Sequence, residues 1–265
     1  MKIGFIGGGK MAEAIIISLL KEKITDSESI IVSDISKERV NFLKTKHNLT
    51  TSEDNKDLVK KVDVIFMSVK PQVLDIVLDE VAEHISTDKL VFSILAGKKI
   101  ATFESRLPGV PVVRVMPNLP CQVGEGMTAF CLGSATDDSH KHIAETLLAT
   151  FGKVIQLDED NFDVVTALSG SGPAFFAYLM NCMALGAEQF GLSSEQAKLL
   201  SCQTMLGTAK VLIEKGYDPV DFITAVTSPK GTTEAGRKIL ENSGIDQILS
   251  DTIKAAADRS IELSS

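Results

Sequence analysis

The chain has no tryptophan, only two tyrosines among its 265 residues, and no long uninterrupted apolar run. Its longest apolar stretch, residues 174–187, contains Asn181 and is shorter than the roughly 18 residues from which a transmembrane helix is predicted. We therefore expect no membrane association. The segment after Lys2 is not expected to act as a signal peptide, because three successive glycines interrupt it.

Cysteines are too few and too scattered for a disulfide framework or a metal site. They lack CxxC spacing, no histidine cluster lies beside them, and each sits among apolar residues: Cys121, Cys131, Cys182 and Cys202. This pattern predicts buried, reduced thiols, no bound metal and a cytoplasmic location.

Clustered positive charge is also missing. The formal net charge is −8, and Lys and Arg are dispersed along the chain. Because nucleic-acid binding depends on clustered Lys and Arg that neutralise phosphates, we expect no nucleic-acid partner.

The first part of the chain alternates short β-branched runs with amphipathic stretches. The predicted strands are residues 2–6, 30–33, 62–68, 90–95, 112–115, 127–131 and 154–156. The predicted helices between them are residues 12–22, 37–46, 73–84 and 140–151. Several strands are apolar throughout, as a parallel sheet covered on both faces requires. The pattern indicates a doubly wound α/β sheet.

Only helices are predicted after residue 158. Their ranges are residues 163–168, 174–190, 194–214, 219–227, 233–242 and 245–262. Ser193 with Gln196 forms a capping-box pattern, and Gly191 and Gly216 stand where two helices should end. We therefore predict an α/β domain over residues 1–160 and an all-α domain over residues 161–265.

A glycine-rich loop follows the first predicted strand and opens the first helix. Its residues Gly7, Gly8, Gly9, Lys10 and Met11, followed by alanine, fit the GxGxxA pattern. The first glycine permits the tight turn, the third lets the backbone approach a pyrophosphate, and the alanine permits close helix–strand packing. The position of the loop predicts a dinucleotide site at the helix N-terminus.

The end of the second strand carries conflicting signals about which dinucleotide binds. Asp34 follows Ser33, and an acid here usually accepts hydrogen bonds from ribose hydroxyls and repels a 2′-phosphate, which favours NAD. Lys37 and Arg39 follow at once and could reach a phosphate, or could simply lie on a solvated helix start. The choice between NAD and NADP stays open.

Three further segments lie at predicted strand ends. They are Val69 and Lys70 with the following proline, Ala96 with the following glycine, and residues 114–118. Ligands of open α/β sheets bind outside the carboxyl ends of the strands. These segments are therefore expected to line the cofactor crevice.

Two segments of the helical half contain glycine, proline and hydroxyl residues. Residues 169–174 read SGSGPA, which suits either a glycine hinge between domains or close approach to a ligand. Residues 228–233 read SPKGTT. There, Thr232 or Thr233 could be a helix N-cap, or free N–H groups and hydroxyls could form a carboxylate cradle.

Histidine is absent from the helical half. His47, His84, His140 and His142 all lie in the first domain on predicted helices or helix starts, and solvated faces are their expected location. A histidine general base is therefore not expected. Reduction of a protonated imine needs only a hydrogen-bond partner at nitrogen, which a hydroxyl can supply, so the pattern favours imine reduction.

Five motifs together resemble the pyrroline-5-carboxylate reductase family over nearly the whole chain. They are FIGGGKMA at residues 5–12, VKPQ at 69–72, RVMPN at 114–118, LSGSGPAF at 168–175 and SPKGTT at 228–233. The resemblance implies a Rossmann-type domain followed by an all-α dimerisation domain. It also implies that hydride from NADH or NADPH reduces a cyclic imino acid, 1-pyrroline-5-carboxylate, to L-proline, the last step of proline biosynthesis.

The resemblance also implies residue roles. Thr233 would be the proton donor at the ring nitrogen, and Gly231 and Thr232 would offer N–H groups to the substrate carboxylate. The residues implied to surround the dinucleotide are Ile6, Gly7, Gly8, Gly9, Lys10, Met11, Ser33, Asp34, Asn55, Val69, Lys70 and Ala96. The family's helical domain intertwines with a partner to form a homodimer, and dimers commonly assemble further, often to decamers.

One residue departs from the family pattern. Lys230 stands where the family usually has glycine, and a left-handed backbone there would cost about 1 kcal/mol. Its side chain could instead point outwards or add positive charge near the substrate carboxylate.

Three alternatives remain at this point. A β-hydroxyacid dehydrogenase would carry a catalytic lysine where this chain has Phe176, which counts against that class. A non-catalytic dinucleotide-binding protein and a reductase of another cyclic imine are the other two, because fold alone does not prove catalysis.

Overall fold

The computed structural model describes residues 1–264. Its contacts divide the chain into two compact units: Met1–Ser171 together with the chain from Ala256 onwards, and Gly172–Ala255. The first unit contains the whole sheet and the second is helical. The boundary predicted at residues 160 and 161 stays a prediction, because compact units need not coincide with folding domains.

The first unit is built on one eight-stranded sheet. The strands are β1 (Ile3–Ile6), β2 (Ile30–Ser33), β3 (Thr50–Thr51), β4 (Val64–Met67), β5 (Leu90–Ser93), β6 (Val112–Met116), β7 (Gly126–Leu132) and β8 (Gly152–Gln156). Their order in the sheet is β3-β2-β1-β4-β5-β6-β7-β8. Strands β1 to β6 run parallel, which confirms the predicted parallel core.

One pair departs from the parallel pattern, since β7 runs antiparallel to β6. The connection between them, residues 117–125, is shorter than the dozen or so residues that a parallel crossover needs. Strand β8 then pairs parallel with β7. The reversal lies at the far end of the sheet from β2 and β3.

Helices cover both faces of the sheet. In the first unit they are α1 (Lys10–Lys21), α2 (Lys37–His47), α3 (Asn55–Lys61), α4 (Leu74–Val81), α5 (Ile100–Glu104), α6 (Asp138–Leu148) and α7 (Phe162–Val165). One buried cluster joins the sheet to α1, α2 and α6, and a second joins it to α3, α4 and α5. Within the first cluster Phe66 stacks on Phe5 and on Phe92, each with ring centroids 4.7 Å apart. The predicted doubly wound architecture is confirmed.

After α7 the chain forms a π-helix over Thr166–Gly170 and then the long helices. These are α8 (Gly172–Glu188), α9 (Ser194–Lys215), α10 (Pro219–Ala225), α11 (Thr232–Asn242) and α12 (Ile245–Ser264). The predicted capping box is present, since Gln196 N–H donates to Ser193 Oγ at 3.2 Å and Ser193 N–H donates to Gln196 Oε1 at 3.0 Å. Gly216 ends α9 in the left-handed conformation, as predicted.

The second unit, taken by itself, buries very few side chains. In α8 to α11 the buried residues are Gly172, Ala184 and Ala197, all small. Large apolar side chains are exposed instead, including Phe190 at 91% and Ile239 at 72%. A groove of about 610 Å³ between α8 and α9 is lined mainly by apolar side chains. An apolar surface of this kind normally marks an interaction site.

The cysteine prediction was half right. Cys121 and Cys131 are buried, but Cys182 and Cys202 are exposed. The two exposed cysteines lie on α8 and α9, whose apolar surfaces are not covered within the single chain.

Across residues 1–264, no helix has both the length and the apolarity to span a membrane. In the same residues, no three His, Cys, Asp or Glu side chains form a group that could hold a metal ion.

Candidate active site

The loop between β1 and α1 has a conformation that requires glycine at its first position. Gly7 has φ +98°, and its N–H donates to the Ser33 carbonyl oxygen at 2.8 Å. A Cβ atom on Gly7 would lie 2.6 Å from the Ser68 carbonyl oxygen, inside any real contact distance. A Cβ atom on Gly9 would meet no atom within 4 Å. The surface over Gly9 is therefore open to a ligand.

Asp34 links this loop to the turn after β2. Gly8 N–H donates to Asp34 Oδ2 at 2.8 Å, and Ser36 N–H donates to Asp34 Oδ1 at 2.9 Å. The carboxylate is therefore fixed beside the glycine loop. Ile35, the next residue, is fully exposed. No role was predicted for it from the sequence, although an apolar residue directly after the acid at a strand end could have indicated one.

Ser33 and Asn55 contact each other through their side chains. Ser33 Oγ donates to Asn55 Oδ1 at 2.6 Å, and Asn55 Nδ2 donates to Glu80 Oε2 at 2.9 Å. Asn55 is the first residue of α3, a helix that the sequence pattern had not revealed. The structure thus joins two predicted cofactor residues that lie far apart in the sequence.

The remaining predicted cofactor residues follow β4 and β5. Val69 is half-buried and Lys70 is exposed after β4, and Ser68 Oγ donates to the Gly7 carbonyl oxygen at 2.7 Å. Ala96 is exposed in the turn after β5. Since β1, β4 and β5 are parallel neighbours, their carboxyl ends share one edge of the sheet. The twelve predicted cofactor positions all belong to the first unit.

Arg114 does not line this edge, although its motif was expected to. It lies inside β6 with a side chain only 5% exposed, and its Nη1 contacts Glu159 Oε1 at 2.9 Å. The same carboxylate oxygen accepts the Ile100 N–H at 2.8 Å, and the Arg114 guanidinium lies 4.6 Å from the Phe162 ring centroid. Arg114 therefore anchors the chain that leads into α7.

The buried cysteines are poor nucleophiles. Burial raises the pKa of Cys121 to about 11. Burial, together with the nearby Glu159 carboxylate, raises the pKa of Cys131 to about 12. Both groups are therefore neutral thiols near pH 7 and supply no thiolate for chemistry.

Asn118 connects the sheet to the glycine-rich segment before α8. Its Nδ2 donates to the carbonyl oxygen and to Oγ of Ser169, both at 3.3 Å, and its Oδ1 accepts the Met127 N–H at 2.9 Å. Ser171 N–H donates to the Thr166 carbonyl oxygen at 2.8 Å, closing the π-helical turn. Such turns occur frequently at functional sites. Asn118 belongs to the RVMPN motif, but its contact with Ser169 joins residues 51 positions apart and has no local sequence signal.

The loop 228–233 in the second unit contains two threonines whose hydroxyls do not cap the following helix. Gly231 is the N-cap of α11, and no side chain caps this helix end. The N-cap interpretation of Thr232 and Thr233 is therefore wrong, and both residues are exposed. Lys230 adopts φ 61°, so it does occupy the left-handed conformation, and its N–H donates to Glu234 Oε2 at 2.7 Å.

His47 is not on a solvated face, contrary to expectation. Its side chain is 12% exposed and its Nε2 lies 2.9 Å from Glu13 Oε1. Burial raises the pKa of Glu13, but hydrogen bonds from His47, Arg39 and Lys46 outweigh this effect and lower that pKa to about 2. The charged Glu13 carboxylate holds the His47 imidazole in this largely buried position. The spacing of apolar residues in the sequence gives no information about such a polar contact.

Two family models match the chain. The model described as pyrroline-5-carboxylate reductase dimerisation matches residues 159–263. The model described as NADP oxidoreductase, coenzyme F420-dependent, matches residues 2–97.

Curated relatives and solved structures match over the full length. The pyrroline-5-carboxylate reductase of Methanosarcina acetivorans is 38% identical over 99% of this chain and 97% of its own length. The solved Coxiella burnetii pyrroline-5-carboxylate reductase is 36% identical with a TM-score of 0.93, covering 100% of this chain and 98% of its own. The Plasmodium falciparum pyrroline carboxylate reductase, solved with NADP bound, is 27% identical with a TM-score of 0.90, at 100% and 98% coverage.

Proposed function

The chain belongs to the pyrroline-5-carboxylate reductase family and reduces 1-pyrroline-5-carboxylate to L-proline with hydride from NAD(P)H; we propose that two sets of residues carry this reaction. The first set holds the dinucleotide and the second holds the cyclic imino acid. The observation with most weight is the full-length relationship, because it includes both the glycine loop and the loop 228–233.

The cofactor set is Ile6, Gly7, Gly8, Gly9, Lys10, Met11, Ser33, Asp34, Asn55, Val69, Lys70 and Ala96. The open surface at Gly9 and the uncapped N-terminus of α1 suit a pyrophosphate, because free N–H groups and the helix dipole favour an anion there. Asp34 suits the adenosine ribose, and the exposed Ile35 offers apolar surface to the adenine ring. When bound, the dinucleotide supplies the hydride.

The substrate set is Gly231, Thr232 and Thr233. The N–H groups of Thr232 and Thr233, the first of α11, have no intrahelical partner and no side-chain cap, which suits the substrate carboxylate. The Gly231 N–H donates to the Ser228 carbonyl oxygen at 3.0 Å, so it must leave that acceptor to bind the carboxylate. We assign Thr233 as the residue that hydrogen-bonds the ring nitrogen. Hydride adds to the C=N carbon and a proton ends on nitrogen, so the imine becomes a secondary amine.

The test of this assignment is Thr233→Ala, with Thr233→Ser as the conservative variant. We expect kcat to fall by at least about 10²-fold in the alanine variant, the lower end for loss of a proton-transfer group. The serine variant should retain most of the activity, and dinucleotide affinity should change in neither. Thr224→Ala is the matched control, because Thr224 lies in α10 and its hydroxyl bonds only the Val220 carbonyl oxygen at 3.0 Å. Unchanged turnover in Thr233→Ala would remove Thr233 from the mechanism.

We also propose that the protein is a homodimer through its second unit and that dimers assemble further, with a decamer as the expected form. The exposed apolar side chains of α8 and α9, and a dimerisation model over residues 159–263, support this proposal. Leu200→Glu, in the groove between α8 and α9, should lower the mass measured by analytical ultracentrifugation. The exposed Lys198→Glu on the same helix is the control, and an unchanged mass in Leu200→Glu would argue against this interface.

A cytoplasmic location is part of the proposal. All four cysteines are unpaired thiols, which suits a reducing compartment.

A further inference from the structure

The carboxylate of Asp34 is positioned to select between the two nicotinamide dinucleotides. Each of its oxygens accepts one backbone N–H, from Gly8 at 2.8 Å and from Ser36 at 2.9 Å. A carboxylate has about four acceptor positions, so each oxygen retains capacity for one more donor. Two ribose hydroxyls match that capacity, whereas a 2′-phosphate would bring two further negative charges beside a fixed one.

Two of the N–H donors at the start of α2 are already used within the chain. Ser36 N–H is taken by Asp34, and Arg39 N–H donates to Ser36 Oγ at 3.2 Å. Ser36 Oγ also donates to Glu38 Oε2 at 2.9 Å, which places a second carboxylate on this turn. Internal oxygen atoms therefore occupy two of the N–H groups that a 2′-phosphate could otherwise meet on this turn.

Arg39, the cation best suited to a phosphate, is already engaged by three acceptors of the chain. Its Nη2 contacts Glu13 Oε2 at 2.7 Å and donates to the Gly9 carbonyl oxygen at 3.2 Å, and its Nε donates to the Gly8 carbonyl oxygen. Its guanidinium also lies 5.0 Å from the Phe42 ring centroid. With side chains 23% and 14% exposed, Arg39 and Glu13 form a largely desolvated pair. Such a pair is costly to break for an external anion.

Lys37 is the other cation of this turn. It is exposed at the first position of α2. A solvated lysine on a flexible side chain contributes little to an ion pair, so it offsets little of the repulsion from Asp34 and Glu38.

We infer that this reductase prefers NADH to NADPH, with Asp34 as the specificity-determining residue and Glu13 as a positioning residue that keeps Arg39 from a 2′-phosphate. This inference rests on the proposed cofactor site. The solved P. falciparum relative has NADP bound, and the preference inferred here concerns this chain alone.

The test compares kcat/KM for NADH and NADPH in the wild type, Asp34→Ser, Glu13→Gln and the double variant. The wild type should favour NADH by at least about tenfold, equivalent to 1.4 kcal/mol. Asp34→Ser should shift the ratio towards NADPH, and Glu13→Gln alone should shift it little, because Asp34 still repels the phosphate. The double variant should shift it by more than the product of the two single changes, because Arg39 then loses its charged partner and keeps only the neutral Gly8 and Gly9 carbonyl acceptors. Glu22→Gln, which removes a charge from the exposed end of α1, should leave the ratio unchanged.

A binding measurement separates this inference from the proposed reaction. Calorimetric titration with 5′-AMP and with adenosine 2′,5′-diphosphate compares two ligands that differ only in the 2′-phosphate. The wild type should bind 5′-AMP more tightly, and the double variant should reverse that order, whether or not pyrroline-5-carboxylate is reduced. Equal or tighter wild-type binding of the diphosphate would overturn the preference. A double variant no different from Asp34→Ser would overturn the role of Glu13.

Discussion

Variants of the buried ion pair between Arg114 and Glu159 are predicted to lose unfolding free energy in a definite order. The Arg114 side chain is 5% exposed and that of Glu159 is 28% exposed, with Nη1 and Oε1 2.9 Å apart. At an effective dielectric constant of about 20, their gross attraction is about 6 kcal/mol. Desolvation of both groups offsets most of it, as in other buried pairs.

The perturbation is Glu159→Gln, which keeps an acceptor for the Ile100 N–H but leaves Arg114 buried without a counter-charge. We expect this variant to lose about 3 kcal/mol, the lower end for breaking a buried pair. Arg114→Met fills a similar volume beside Phe162 and leaves Glu159, which is partly hydrated, as the unpaired charge. Its expected loss is about 2 kcal/mol.

The double variant distinguishes a charge effect from a packing effect. Without either charge, Arg114→Met with Glu159→Gln should be more stable than Glu159→Gln alone, with a net loss of about 1–2 kcal/mol. The assay is urea unfolding followed by far-ultraviolet circular dichroism, because the chain has no tryptophan. The protomer concentration must be held constant, since self-association shifts apparent stability. Losses that simply add, to about 5 kcal/mol, would refute the reasoning.

Three further predictions concern single residues. Gly9→Val should abolish dinucleotide binding in a calorimetric titration while leaving the dichroism spectrum unchanged, because its side chain would enter the open surface above the loop; normal binding would contradict the loop assignment. Since the pKa of Glu13 is lowered from 4.5 to about 2, its contribution of about 3 kcal/mol is complete above pH 4.5 and is lost as the pH falls towards 2. Glu13→Gln should therefore flatten the dependence of unfolding free energy on pH in that window, and an unchanged slope would exclude this role. Lys230→Gly should stabilise the chain by roughly 0.5 kcal/mol, because relief of the left-handed backbone exceeds the added chain entropy; Lys230→Ala, which retains the strain, should show no gain.

The strands of the sheet and the long helices were predictable because their apolar residues recur with a clear period along the sequence. The strand over residues 30–33 was predicted to the residue. The short elements β3, α3 and α5 were missed, because each has too few residues for a periodic pattern of apolar side chains to be recognised. Cys182 and Cys202 were predicted to be buried because their neighbours are apolar, but those surfaces are exposed in the single chain.

The contacts that define the candidate site were less accessible from sequence. The glycine loop and Asp34 were found as motifs, since each depends on adjacent residues. Glu13 forms an ion pair with Arg39, and Asn118 contacts Ser169. Each contact joins residues that are distant in the sequence. No local pattern encodes such pairs, so the sequence alone left the role of Arg39 open.

The most direct test of the central claim is the initial rate of NADH and NADPH oxidation by the purified protein with 1-pyrroline-5-carboxylate, with L-proline quantified as product. We predict rapid, substrate-dependent oxidation, one proline formed for each dinucleotide oxidised, and a higher specificity constant for NADH. If the protein binds the dinucleotide but oxidises neither form in the presence of this substrate, the assigned reaction is contradicted.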